Sequence, residues 1–244
     1  WNSEGQLGDG TTTDRSTPLQ IESSSVLSLS CGSWQSLYVK SDGSLWGMGR
    51  NYYGQLGDGT TTDRSTPVQI ESSGVLSVSG GGDVHSLYVK SDGSLWVMGR
   101  NIYGQLGDGT TTNRSTPVQI ESSGVVNVGG ANSHSLYMKN DGSLWGMGSN
   151  VYGQLGDGTT TDRNTPVQIE SGGVASLMNQ SGFLILNQAP TDLNSSSSLS
   201  VQENQSIGTM VGDFNATDPD GDPITYSLVS GAGDGNNSLF TLES

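Results

Sequence analysis

Apolar residues in this chain come in short runs that alternate with small or polar ones, and no stretch keeps a helical period over ten residues. In Ser86–Lys90 and Ser94–Gly99 the alternation has period two, the pattern of a half-buried β-strand. Between them lies Ser91-Asp92-Gly93, a hairpin signal in which glycine can take positive φ. Val75–Ser79 predicts a further strand and Val68–Glu71 a shorter one, with Pro67 suited to a sheet edge or a strand start.

These elements recur. GQLGDGTTTDRSTP starts at Gly5 and Gly54 and returns with small changes at Gly104 and Gly153, at spacings of 49, 50 and 49 residues. SLYVKSDGSLW runs over Ser36–Trp46 and Ser86–Trp96 and returns as SLYMKNDGSLW over Ser135–Trp145, with TPVQIESSGV linking the blocks. Four short strands in a unit of about 50 residues match a propeller blade. The expected fold is therefore all-β, with an open, partial β-propeller of about three and a half blades over residues 1–186. In the last unit Ser176–Gly182 echoes the hairpin, while Phe183–Leu186 stands where the Trp-bearing strand is expected. The chain enters a repeat part-way through at Trp1, carries no signal peptide and is expected to be a piece of a longer protein.

The blocks His85-Ser86-Leu87, Asp92-Gly93-Ser94-Leu95-Trp96 and Gly104-Gln105-Leu106-Gly107 resemble the regulator of chromosome condensation repeat, over roughly residues 1–173. The resemblance implies a propeller, closed in that family by about seven blades, whose rigid rim presents loops to a protein partner. Some members act as exchange factors on a small nuclear GTPase and a bacterial member inhibits β-lactamases; no functional residue is carried over from either. Gln35 departs from the pattern, standing where His85 and His134 stand in later units.

Composition narrows the function. The formal charge is −15, and all nine Lys and Arg residues lie at or before Arg163. Such a chain repels phosphate backbones, so nucleic acid is not an expected partner. The single cysteine, Cys31, excludes an internal disulfide framework, and no apolar run approaches the roughly 18–20 residues that span a bilayer. Trp46, Trp96 and Trp145 read as wedges between blades, with stacking on a sugar or partner as the alternative. His85 and His134 read as loop-holding hydrogen-bond partners rather than metal ligands. Gly57–Asp63 and its copies read as turns closed by Asp and Thr side chains rather than a cation site, and they lack the lysine of a phosphate loop. A catalytic site is normally built once and should break the repeat. The side chains that do so, Cys31, Trp34, Gln35 and Asp83, form no catalytic set, so no enzymatic activity is expected.

Composition shifts after Asn187. Residues 187–244 hold eight acidic residues and no basic one, with Leu199–Val201 and Ile224–Val229 reading as strands of a β-sandwich. Glu203-Asn204-Gln205 and Ala216–Asp222 gather carboxylates that repel one another unless a hard cation is shared, and calcium takes six to eight such oxygens. An EF-hand is excluded because Pro223 and Val229 occupy the positions that need Gly and Glu. From Ala189-Pro190-Thr191 through Glu203-Asn204, Gly208-Thr209, Asp218 and Asp220 to Ile224–Leu228, the segment resembles the start of a bacterial cadherin-like repeat, an immunoglobulin-like sandwich cut short. That resemblance implies calcium as cofactor, held by Glu203, Asp218 and Asp220 with Asn187 from the linker, at about 10⁻⁴–10⁻³ M.

The reading that joins both regions is a calcium-dependent adhesion protein, extracellular or at the cell surface in association with a membrane. Its blades would display an interaction surface, and calcium would stiffen the spacing. The alternatives are a protein-binding, inhibitor-like propeller with the acidic segment as a spacer, or a glycan-binding surface protein using Tyr52, Tyr53, Tyr103 and Tyr152.

Overall fold

The computed structural model describes residues 1–178 except Ser24 and Asp83, together with the strands Phe183–Leu186, Thr191–Ser195 and Phe214–Thr217. The chain divides into two compact units, Trp1–Leu186 and Asn187–Ser244. In the first, each repeat folds into a four-stranded antiparallel sheet with its strands in chain order. Blade 1 holds β1 (Val26–Cys31), β2 (Gln35–Lys40), β3 (Leu45–Gly49) and β4 (Arg64–Glu71). Blade 2 holds β5 (Val75–Gly81), β6 (His85–Lys90), β7 (Leu95–Gly99) and β8 (Arg114–Glu121). Blade 3 holds β9 (Val125–Gly130), β10 (His134–Lys139), β11 (Leu144–Gly148) and β12 (Arg163–Glu170). This is an open array of propeller-like blades, and no helix occurs among the described residues.

The hairpin between β6 and β7 shows why the repeat needs its Asp-Gly pair. Gly93 has φ of 77°, and a Cβ there would lie 2.6 Å from the Gly124 nitrogen, so both conformation and space demand glycine. Asp92 Oδ1 accepts the Ser94 N–H at 2.9 Å, and the Gly93 carbonyl accepts the Val125 N–H of blade 3 at 2.9 Å. One turn thus closes its own blade and aligns the next.

Period two puts alternate side chains of β6 on opposite faces, and both faces are buried. Tyr88 packs toward blade 1 with Leu37, Val39, Leu56, Val75 and Val78. Leu87 and Val89 pack toward blade 3 with Val125, Val128 and Tyr137. The core therefore lies between successive blades. Each fully buried large side chain contributes about 1.5–3 kcal/mol.

Two expectations are corrected. The outer strand begins at Arg64, ahead of the expected Val68, with Pro67 inside it. The proline is tolerated because β4 is the edge of its sheet and its pairing with β3 shifts register between Gly47 and Gly49. In the fourth repeat Phe183–Leu186 (β14) does not take the place of the Trp-bearing strand. It pairs directly with β13 (Val174–Met178) in a two-stranded sheet. The Val174 N–H bonds to Gly142 O at 3.2 Å, as Val125 does to Gly93, so β13 is a first strand and β14 takes the second place.

In the second unit β15 (Thr191–Ser195) pairs antiparallel with β16 (Phe214–Thr217). The segments 199–201 and 224–229, expected as sandwich strands, lie outside the described residues, as do Asn187, Glu203, Asp218 and Asp220.

Candidate protein-interaction rim

In every blade a long loop joins the third strand to the fourth, and one buried asparagine organises it. The Asn51 N–H bonds to Asp63 Oδ1 at 2.6 Å, its side-chain oxygen accepts the Leu56 N–H at 2.9 Å, and Nδ2 donates to Asp58 Oδ1 at 2.9 Å. Asn101 and Asn150 repeat this arrangement with Asp108 and Asp157. Asp58 Oδ1 also accepts from Thr60 N–H and Oγ1, while Oδ2 takes Arg64 Nε at 2.7 Å and its terminal nitrogen at 2.5 Å. Burial opposes the charge on Asp58, but the bonds from Thr60 and Arg64 outweigh it and hold the carboxyl below its usual range. The carboxylate oxygens are thus engaged within the loop. The Gly-Asp-Gly-Thr motif is a turn closed by its own side chains, as its composition predicts.

The loops of blades 1 and 2 are each clamped by the blade that follows. The Gln55 carbonyl accepts Ser86 Oγ–H at 2.8 Å, Gly59 N–H bonds to Ser115 O at 2.8 Å, and Leu56 sits in the junction core. The stapling leaves a dipeptide at each loop apex facing outward. Tyr52 is 66% exposed, Tyr152 is 90% exposed, and Ile102, Tyr103 and Val151 are exposed as well.

His85 acts across a junction. His85 Nε2 lies 2.8 Å from Ser135 Oγ of blade 3, and that hydroxyl donates to Gln105 O at 2.8 Å. With the hydroxyl proton committed, the ring must donate from Nε2, which leaves Nδ1 as a buried lone pair with no partner. Protonation would place an N–H there with nothing to accept it. Burial, reinforced by His134, drives the His85 pKa down to about 3, so the ring is neutral. Burial also lowers His134. His85 thus holds blade to blade rather than a loop. In blade 1 the buried Gln35 amide has no partner.

All three tryptophans are half-buried, and Trp96 and Trp145 sit at blade junctions rather than facing fully inward. Trp96 packs beside the core between blades 1 and 2, stacks on Tyr88 at 6.3 Å, and carries Lys90 Nζ 4.8 Å above its ring. Trp145 repeats the arrangement with Tyr137 and Lys139. Of the other side chains that break the repeat, Cys31 is exposed, Trp34 meets Trp1 edge-on at 5.8 Å, and Asp83 lies outside the described residues. Among the described residues no three His, Cys, Asp or Glu side chains cluster as metal ligands, and no helix is long and apolar enough to cross a membrane.

One feature of the rim escaped the sequence reading. Arg100 lies between two apex tyrosines, its guanidinium carbon 5.1 Å from the Tyr53 ring centroid and 5.9 Å from that of Tyr103. The residue at this place in the next loop is Ser149, and there Tyr103 and Tyr152 line a recess of about 630 Å³ together with His134 and Gln154. The sequence signal was present, since Arg50, Arg100 and Ser149 align in successive repeats.

Two family models, both described as regulator of chromosome condensation (RCC1) repeat, match the chain. One matches residues 1–39, 42–89, 92–138 and 141–176, the other 26–55, 75–105 and 125–154. Among solved structures, human WBSCR16 is similar at 28% identity and a TM-score of 0.55, over 64% of this chain and 43% of that one. Yeast RCC1 (Prp20) in complex with Kap60 aligns at 19% identity and a TM-score of 0.52, over 59% of this chain and 36% of that one. Prp20p from Saccharomyces cerevisiae aligns at 20% identity and a TM-score of 0.50, over 59% and 38%. This chain thus spans roughly two-fifths of the length of each of these relatives. No curated protein sequence matches.

Proposed function

The chain belongs to the regulator of chromosome condensation (RCC1) repeat family, and from that premise we propose that its blades form a non-enzymatic, protein-binding surface. The observation that carries this reading is the row of apex side chains, Tyr52, Ile102, Tyr103, Val151 and Tyr152, exposed on loops that buried asparagines hold rigid. Exposed aromatic residues on a preorganised scaffold suit protein recognition, because little side-chain entropy is lost on contact. In two related solved structures, yeast Prp20 is bound by Kap60 and has binding properties toward Gsp1p and histones. Those partners belong to that protein; what supports the reading here is the shared fold together with the exposed apex row.

The test is site-specific photocrosslinking in the cells that make the protein. A benzophenone side chain at Tyr52 or Tyr152 should capture the same protein partner, and one at the exposed Gln119, farther along the outer strand, should not. Equal capture from all three positions would sink the reading.

The acidic segment favours a second role. Asp218, Asp220 and Asp222 fall within five residues, Glu203 lies upstream, and 187–244 has no basic residue to offset them. We propose that Glu203, Asp218 and Asp220, with Asn187, hold calcium at an adhesion module exposed outside the cell. Calcium should then raise the thermal midpoint of the full chain, and Asp218→Asn with Asp220→Asn should remove the rise. An unchanged midpoint at millimolar calcium would leave the segment a spacer.

A further inference from the structure

We propose that the recess between Tyr103 and Tyr152 binds the guanidinium of an arginine side chain from a partner protein, a role that the chain itself fills one blade earlier with Arg100. This inference rests on reading the rim as a protein-binding surface.

The three loops are internally equivalent. The three third-strand exits have the same backbone: Arg50 N–H bonds to Trp34 O, Arg100 N–H to Val84 O and Ser149 N–H to Ser133 O, each at 2.8 Å. The loops that follow are also alike, with the Tyr53, Tyr103 and Tyr152 N–H groups bonding to Gln55, Gln105 and Gln154 Oε1 at 2.9, 3.0 and 2.9 Å. At the second exit a guanidinium lies near the tyrosine of its own loop and the tyrosine of the preceding one, Tyr103 and Tyr53. At the third exit the equivalent pair is Tyr152 and Tyr103, and both line the recess that Ser149 leaves unfilled.

The chemistry of the recess suits a cation with a flat face. Its two tyrosine rings attract guanidinium through their π-faces, and arginine stacks on such rings more readily than lysine does. His134 is neutral because burial lowers its pKa, so it offers no repulsion. Ser149 Oγ accepts the Gln154 amide at 3.3 Å and retains acceptor capacity for an incoming N–H. The chain's charge of −15 favours the approach of a basic segment.

The test uses the full chain with ¹³C-labelled tyrosine rings and three pentapeptides, Gly-Ser-X-Ser-Gly, with X as arginine, lysine or citrulline. Citrulline keeps the shape of arginine without its charge. The arginine peptide should shift the Tyr103 and Tyr152 resonances saturably, and the citrulline peptide should bind at least about tenfold more weakly. Ser149→Arg restores the residue of the other two repeats and fills the recess from within, so it should abolish the shifts. Tyr152→Ala, at a side chain 90% exposed, should weaken binding without touching the core. Arg100→Ser should create a second site reported by Tyr53.

Unaltered arginine binding in Ser149→Arg would overturn the proposal, as would shifts confined to tyrosines away from the recess. Equal binding of lysine would overturn the preference for guanidinium. Crosslinking from Tyr52 and Tyr152 does not depend on these peptides, so loss of the recess and loss of the rim as a binding surface are separately visible.

Discussion

Lowering the pH from 7 to 5 should destabilise the first unit through His85 before its shifted carboxylates are protonated. The ordinary imidazole titrates near 6.5, whereas His85 in the folded chain is held at about 3. Its folded pKa is depressed, so its contribution to stability is complete above about 6.5 and shrinks as the pH falls toward 3. Across that window the unfolded chain binds a proton that the native junction cannot, at about 1.4 kcal/mol per pH unit. Between pH 7 and 5 this amounts to about 2 kcal/mol for one group. With a urea m-value of about 2 kcal/mol/M, the unfolding midpoint should fall by roughly 1 M.

The comparison that isolates His85 is His85→Gln, which installs the residue blade 1 already carries at Gln35. His134 is also lowered by burial and titrates in both proteins, so the difference in pH response between them reports the loss of His85 together with its coupling to His134. Urea midpoints by near-ultraviolet circular dichroism at pH 7 and 5 provide the assay. Equal midpoints at the two pH values in the wild type would refute the reasoning, as would a fall in His85→Gln as large as in the wild type.

Four further outcomes are expected. Gln35→His should reach Ser86 as His85 reaches Ser135 and satisfy a buried amide position, raising stability at pH 7.5 by about 0.5–1.5 kcal/mol in urea titrations. Asp58→Ala removes the carboxylate that Arg64, Thr60 and the Asn51 amide share, leaving Arg64 and the Asn51 amide nitrogen only their Thr60 contacts, and should cost about 1–3 kcal/mol, with faster amide exchange at Leu56. Leu87→Ala empties the junction between blades 2 and 3 and should cost about 2–5 kcal/mol, read from the same midpoints. Gly93→Ala forces a side chain onto a φ of 77° and against blade 3, so it should destabilise the fold by more than about 1 kcal/mol, seen as a lower thermal midpoint.

The fold of the repeats was legible because period and turn chemistry agreed. Alternation fixed the inner strands, and Asp92-Gly93 fixed a hairpin whose glycine is needed twice over. The outer strands were read short because β4 is partly exposed along its length and shows no alternation, and because Pro67 looked like a beginning. Phe183–Leu186 was misplaced because counting repeats cannot tell which neighbour a lone strand will pair with. The inter-blade bond from His85 to Ser135 spans 50 residues, beyond the reach of any local pattern. Ser149 was visible in the alignment of the repeats but is not a residue type that announces chemistry. What it changes is the space left by a missing arginine.

The clamping of the first two loops by the blades after them gives the array a direction. Loop 50–63 depends on blade 2 and loop 100–113 on blade 3, through Ser86 and Ser135 in turn. Stripping one blade away would therefore slacken the binding loop of its predecessor and leave its successor's loop untouched. A partner that grips two neighbouring apices would do the reverse, locking a seam from outside and resisting a peeling force along one sense of the chain more than the other.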